Sequence, residues 1–209
     1  MNIWLIRVQI GNDFEGLTFR FRICKLSIIM SAKLLKLRWR LFFWTATGKI
    51  KKIHKRLTLN SIRGKMDNIL IVFPMDEKSF RVALYAFREL GQKDSRQRNY
   101  KFLIKEQFKD LFHIQIGIPI LVRNSEFENI LSDERMILNQ IDNTKFDIII
   151  DLNSNFHLGI SRLISMLKSD IKIGFSTPFS DQFYNIQLDI RKSGIMERGY
   201  KQINMMLAL

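Results

Sequence analysis

The sequence predicts an α/β fold, a mostly parallel sheet flanked by helices, and two stretches of chain carry that expectation. The first is Lys145 to Phe175, KFDIIIDLNSNFHLGISRLISMLKSDIKIGF. Phe146 to Ile150 are apolar except for Asp147 and end on Asp151, which suits a parallel strand covered on both faces. Leu152 to Asn155 supply a short polar loop, Ile160, Leu163, Ile164 and Leu167 recur at helical spacing, and Ile171 to Phe175 return as a strand. The second is Ile69 to Phe73, another buried-type strand, followed by Phe80, Ala83, Leu84, Phe87 and Leu90 on one side of a helix with Gly91 past its end. Strand–helix–strand units of this kind build a Rossmann-like domain.

Charge divides the chain. Residues 1–65 hold 15 Lys/Arg against Asp13 and Glu15, whereas residues 66–209 hold 19 Lys/Arg against 18 Asp/Glu. Nearly all of the formal net charge of +14 therefore lies in the first third. The expected division is a basic amino-terminal extension, 1–65, and a Rossmann-like domain, 66–209.

Within the extension, Ile3 to Ile10 suit a strand, and Leu17, Phe19, Phe21 and Ile23 alternate with Thr18, Arg20 and Arg22. Residues 3–23 are thus a candidate hairpin around Gly11 to Gly16. Met30 opens an alternative start, so natural translation of 1–29 stays open. From about 31 to 57 the pattern is helical. Leu34, Leu37, Leu41 and Trp44 form one stripe, which Leu35, Trp39 and Phe42 broaden, and Ile50, Ile53 and Leu57 repeat the spacing. Lys33, Lys36, Arg40, Lys51 and Lys52 lie among them. Cations interleaved with Trp39, Trp44 and Phe suit an anionic membrane surface. A helix packed on the domain with its cations reaching out to water has the same pattern. Nucleic acid is disfavoured, because no recognition-helix, zinc-finger or RNA-binding signature accompanies the charge.

The domain continues with a polar loop from Gln92 to Asn99 and a strand from Tyr100 to Ile104. His113 to Gly117 and Ile120 to Val122 suit short strands around Pro119. Ser125 and Glu128 make a capping-box pattern for a helix that would use Phe127, Ile130, Leu131, Leu138 and Ile141 as its core side. Tyr184 to Ile190 alternate as a late strand, and Glu197 to Leu209 suit a closing helix with Tyr200, Ile203 and Leu207 in phase.

Several chemistries are disfavoured. Cys24 is the single cysteine, so no disulfide framework within the chain and no multi-cysteine metal site can form. His54, His113 and His157 have no metal-ligand spacing. No apolar run approaches the roughly 20 residues of a membrane-spanning helix. Neither a P-loop nor a GxGxxG occurs. The expected location is cytoplasmic, peripheral on the inner face of the cell membrane.

In order and spacing, the DIIIDLNSN strand and loop, the following helix, the KIGF strand and the FRVALYAFRELG helix resemble the ADP-heptose:lipopolysaccharide heptosyltransferases of glycosyltransferase family 9. The resemblance runs from about Asp67 to the end. It implies the amino-terminal, acceptor-side half of a two-Rossmann-domain transferase, acting in lipopolysaccharide core assembly on a lipid-linked oligosaccharide. The donor it implies is ADP-heptose, held by a carboxy-terminal half that these residues do not supply, and no other cofactor is expected. In that family a Gly-Asp pair opening the first helix provides the general base. Here the pair falls on Lys78 and Ser79, neither of which can serve. Asp76 is the candidate displaced carboxylate, with Glu77 beside it, and first-turn acids complementing the helix dipole are the alternative reading. Asn153, Ser154, Asn155 and His157 are candidate acceptor contacts, or else turn and cap residues. The sequence leaves three outcomes open: a transferase domain inactive as this single chain, a non-catalytic glycolipid- or protein-binding module, or a truncated product.

Overall fold

The computed structural model describes residues 6–8, 32–50, 66–91, 98–123, 127–141, 144–190 and 195–207. Among the described residues, seven strands form one sheet in the order β1-β7-β6-β5-β2-β3-β4. They are β1 (Ile6–Val8), β2 (Asn68–Val72), β3 (Asn99–Lys105), β4 (Ile118–Val122), β5 (Phe146–Asp151), β6 (Ser169–Phe175) and β7 (Ile186–Leu188). From β7 to β4 every neighbouring pair is parallel, and β1 alone runs antiparallel, Ile6 opposite Leu188. The helices are α1 (Ala32–Ala46), α2 (Glu77–Ala86), α3 (Phe127–Ile141), α4 (Leu158–Met166) and α5 (Met196–Leu207). A mostly parallel, Rossmann-like α/β fold is what the apolar runs predicted.

Continuous apolar strands are needed because both faces of the sheet are covered. Ile69, Ile71 and Phe73, with Phe102 and Ile150, face α2 and α5 through Phe80, Phe87, Tyr200 and Ile203. Leu70, Val72, Leu103 and Ile149 face the opposite layer through Ile137, Ile141, Leu158, Leu163 and Leu41. Phe73 sits among Phe80, Phe87, Phe102 and Phe112, with ring centroids 5.5 to 6.1 Å apart. Phe73, Phe80, Phe87 and Phe102 are fully buried, and each contributes about 1.5–3 kcal/mol through removal of apolar surface from water. At the lower end of the sheet, Asp147 accepts from the backbone N–H groups of Asp67 and Asn68 at 3.0 and 2.9 Å, tying the start of β2 to that of β5.

The structure departs from three sequence expectations. His113 to Gly117 form no strand: Gly117 turns the chain at φ +74°, and a Cβ there would meet the Tyr100 carbonyl at 2.5 Å. The strand begins after it, and Pro119 is tolerated because β4 is an edge. The helix expected over about 31–57 ends at Ala46, where Gly48 takes φ +68° and the Lys49 and Ile50 N–H groups both donate to the Trp44 carbonyl. The late strand shrinks to Ile186–Leu188 because Tyr184 and Asn185 are drawn into side-chain hydrogen bonds with Asp151, Lys172 and Asp170.

Outside the described residues lie the second strand of the 3–23 hairpin, residues 51–57 of the expected helix, most of the 92–99 loop and the capping Ser125. Both described parts of the first 65 residues are laid against the domain. β1 extends its sheet, and Leu41 and Ile50 are buried with the α4-side core.

Candidate functional site

Strand order reverses between β2 and β5. From β2 the chain moves outward to β3 and β4, then returns to the other side of β2 as β5. In open α/β sheets the crevice outside the carboxyl ends of the strands at such a point is where ligands bind. Two loops border it here, Phe73 to Asp76 leading into α2 and Leu152 to His157 leading into α4.

Buried polar groups join these loops. The Leu152 N–H donates to the Val72 carbonyl at 2.9 Å, and the Met75 N–H donates to Asn153 Oδ1 at 2.9 Å. Asn153 in turn donates to Asp151 Oδ1 from its backbone N–H at 2.9 Å and from Nδ2 at 2.7 Å. The Tyr184 hydroxyl donates to Asp151 Oδ2, which brings the segment between β6 and β7 into the same cluster. Gly174 makes room for that ring, since a Cβ there would lie 2.7 Å from it. Burial pushes the Asp151 carboxyl above its ordinary 3.8, opposed by the bonds from Tyr184 and Asn153 and by the charge of His157. Burial, together with the adjacent Asp151 charge, holds the Tyr184 phenol well above its ordinary range. From α5, the Tyr200 hydroxyl donates to the Leu152 carbonyl at 3.1 Å, and burial followed by the charge of Asp76 raises its phenol as well. Both phenols therefore stay neutral donors at ordinary pH.

Around this buried cluster lie the residues open to a ligand. Asp76 is exposed and caps α2, accepting from the Ser79 N–H at 2.8 Å through Oδ1. Asn155 is exposed, and Ser154 and His157 are half-buried. His157 precedes α4 without a side-chain cap bond. Of the candidate acceptor contacts, Asn153 is buried and holds loop to loop, while Ser154, Asn155 and His157 remain on the rim. At the family's base position Lys78 is exposed, whereas Ser79 is buried with its hydroxyl on Met196 Sδ at 3.7 Å. A carboxylate, an amide and a hydroxyl on the two neighbouring loops can each hydrogen-bond the hydroxyls of a sugar. Among the described residues, no group of three or more His, Cys, Asp or Glu could hold a metal ion.

Tyr184 was legible in sequence only as part of an alternating strand, and Tyr200 only as a core position. Nothing in the sequence links either hydroxyl to the crevice, because the bonds span 33 and 48 residues.

The candidate membrane residues divide. Lys36 and Trp39 are exposed on α1. Arg40 is half-buried. Trp44, expected outward, is instead half-buried against the domain beneath Arg162, whose guanidinium lies 4.9 Å from its ring centroid. Lys33 lies on α1 with its side chain outside the described set, and Lys51 and Lys52 fall outside the described residues. No described helix is long and apolar enough to cross a membrane.

The resemblance read from the sequence holds at the level of fold. The domain is similar to the Escherichia coli heptosyltransferase WaaC with ADP-2-deoxy-2-fluoro heptose, at TM-score 0.53 and 17% identity over 66% of this chain and 47% of that one. It is similar to the same enzyme with ADP at TM-score 0.51 and 16% identity, over 66% and 46%. A glycosyl transferase family 9 protein from Veillonella parvula DSM 2008 aligns at TM-score 0.55 and 19% identity, over 69% and 42%. This chain spans less than half the length of each. No protein-family model matches the chain, and no curated protein matches its sequence.

Proposed function

We propose that this domain is the acceptor side of a heptosyltransferase-like glycosyltransferase and binds a lipid-linked oligosaccharide in the crevice between β2 and β5. The observation that carries the reading is the strand reversal between β2 and β5, with Asp76, Ser154, Asn155 and His157 on the two loops at the carboxyl ends of those strands. The fold likeness to heptosyltransferases supports the same parent reaction, transfer of heptose from ADP-heptose to a core sugar of lipopolysaccharide. In this reading the nucleotide sugar sits on a second Rossmann domain, and this chain alone transfers nothing. With that second domain supplied, Asp76 takes the proton of the attacking acceptor hydroxyl as ADP leaves the heptose.

A second reading has its own support. Asp76 Oδ1 is engaged by the Ser79 N–H, and the family's base position is a buried serine. Asp76 is then a cap only, and the domain binds glycan without catalysing transfer.

A transfer assay separates the two. Purified chain is given ADP-heptose and core oligosaccharide, with and without a supplied nucleotide-binding domain. Asp76→Asn keeps a good helix cap but removes the base, so the first reading predicts a loss of about a hundredfold or more in the complemented reaction. Unchanged transfer by Asp76→Asn removes Asp76 as base. Transfer by the chain alone contradicts the requirement for a second domain.

A further inference from the structure

We infer that the outward face of α1 is a docking surface for an anionic membrane. The helix is apolar on two opposite sides. Leu37, Leu41 and Trp44 turn inward onto the core shared with α4, where Leu41 is buried and Arg162, paired with Glu134 at 3.2 Å, covers the Trp44 ring. Leu35, Trp39, Phe42 and Phe43 turn the other way and are 46%, 61%, 66% and 61% exposed. Their spacing of i, i+4, i+7 and i+8 keeps them on one continuous stripe. Trp39 and Phe42 meet edge to face at 6.4 Å, and with Leu35 and Arg38 they line a shallow hollow. Four large apolar side chains on one surface stripe are not the scattered exposure normal for a folded domain.

Charge decides the occupant. Lys36 and Arg38 flank the stripe on α1, and Lys49 follows its end, all three exposed. Residues 1–65 carry almost all of the chain's net positive charge. A second copy would bring this basic surface against itself. Nucleic acid would satisfy the cations but leave Leu35, Phe42 and Phe43 in water. A bilayer with anionic headgroups satisfies both: cations meet phosphates while Trp and Phe sit at headgroup depth. Because the inner stripe is anchored to the domain, α1 would lie flat in the interface with only its outer face inserted. This inference is independent of the transferase reading and needs no sugar.

The test uses the full chain and sugar-free vesicles, either of phosphatidylcholine alone or of phosphatidylcholine with phosphatidylglycerol, at low and high salt. Binding is expected to the anionic vesicles, falling as salt rises, with a blue shift of tryptophan emission that Trp39→Phe diminishes. Replacing Trp39, Phe42 and Phe43 together by serine should lower partitioning by at least about tenfold. The Lys36→Glu and Arg38→Glu pair should weaken it by about fivefold or more for each charge removed. All five side chains are exposed, and an unchanged denaturation curve verifies that the variants fold. Equal binding by the serine variant overturns the inference, as does equal binding to neutral vesicles. A dimer that the serine variant abolishes places a second copy on this face and also overturns it, as does stronger binding to DNA through the same residues. Failure on vesicles leaves glycan binding at the crevice unaffected, and the reverse holds.

Discussion

Asp151 and Asn153 lie buried beside the crevice, whereas Trp39, Phe42 and Phe43 stand exposed on α1. Both regions depart from the usual sorting of side chains, in opposite directions. At the crevice each buried polar group has a partner within the protein: Asn153 holds Met75 and Asp151, and Asp151 holds Tyr184. These groups are already hydrogen-bonded to one another, so they fix the two loops against each other. On the outer face of α1 the apolar groups stay exposed and meet nothing of comparable character among the described residues. The difference separates polar side chains whose partners lie inside the fold from apolar side chains that the described residues leave exposed.

The comparison breaks if the buried cluster proves dispensable. Asp151→Ala removes the acceptor for Tyr184 Oη and for two donors of Asn153, and should cost about 3 kcal/mol of stability in urea unfolding. A loss near zero would mean that water replaces those bonds. Asp151→Asn sharpens the point through pH. The folded carboxyl is raised above its ordinary 3.8, so its contribution to stability is fully present below that value and is lost as pH rises through the folded value. The stability of wild type relative to Asp151→Asn should therefore fall from acid toward neutral pH. A rise over that range would show the opposite shift.

A smaller effect is expected at Gly174. An added methyl group meets the Tyr184 ring at 2.7 Å, so Gly174→Ala should displace the ring and cost about 2 kcal/mol. Asp76→Ala removes one cap from α2 and should cost about 1 kcal/mol, which a thermal or urea midpoint resolves. Smallest of all, serine at Trp39, Phe42 and Phe43 should change stability by no more than about 0.5 kcal/mol per site. If these exposed changes destabilised the chain as much as Asp151→Ala, α1 would be an internal support and the contrast would fail.

The fold was legible because buried parallel strands need mostly apolar runs: Ile69 to Phe73 is unbroken, and Phe146 to Ile150 and Ile171 to Phe175 are each interrupted by one charged residue, Asp147 and Lys172. The loop at the carboxyl end of β5 followed from Asp151 and the small polar residues after it. Its bonding did not, since Asn153 reaches the Met75 N–H across 78 residues and Tyr184 reaches Asp151 across 33. Small polar residues after a strand look alike whether they bind a ligand or another loop. The helix α1 posed a different problem. Leu37, Leu41 and Trp44 form one apolar stripe and Leu35, Trp39, Phe42 and Phe43 another, and periodicity cannot say which of two apolar stripes meets the core. The false strand at His113 to Gly117 arose because apolar Ile114 and Ile116 alternate, yet both pack as partly buried side chains of an irregular segment before Gly117.

The central claim is that the crevice between β2 and β5 receives a glycan acceptor. Backbone amide shifts of the isotope-labelled chain, followed during titration with lipopolysaccharide core oligosaccharide, test it most directly. Saturable shifts confined to residues 74–79 and 152–157 are the predicted result. No saturable shifts, or shifts gathered at the opposite end of the sheet around Asp67 and Asp147, would contradict it.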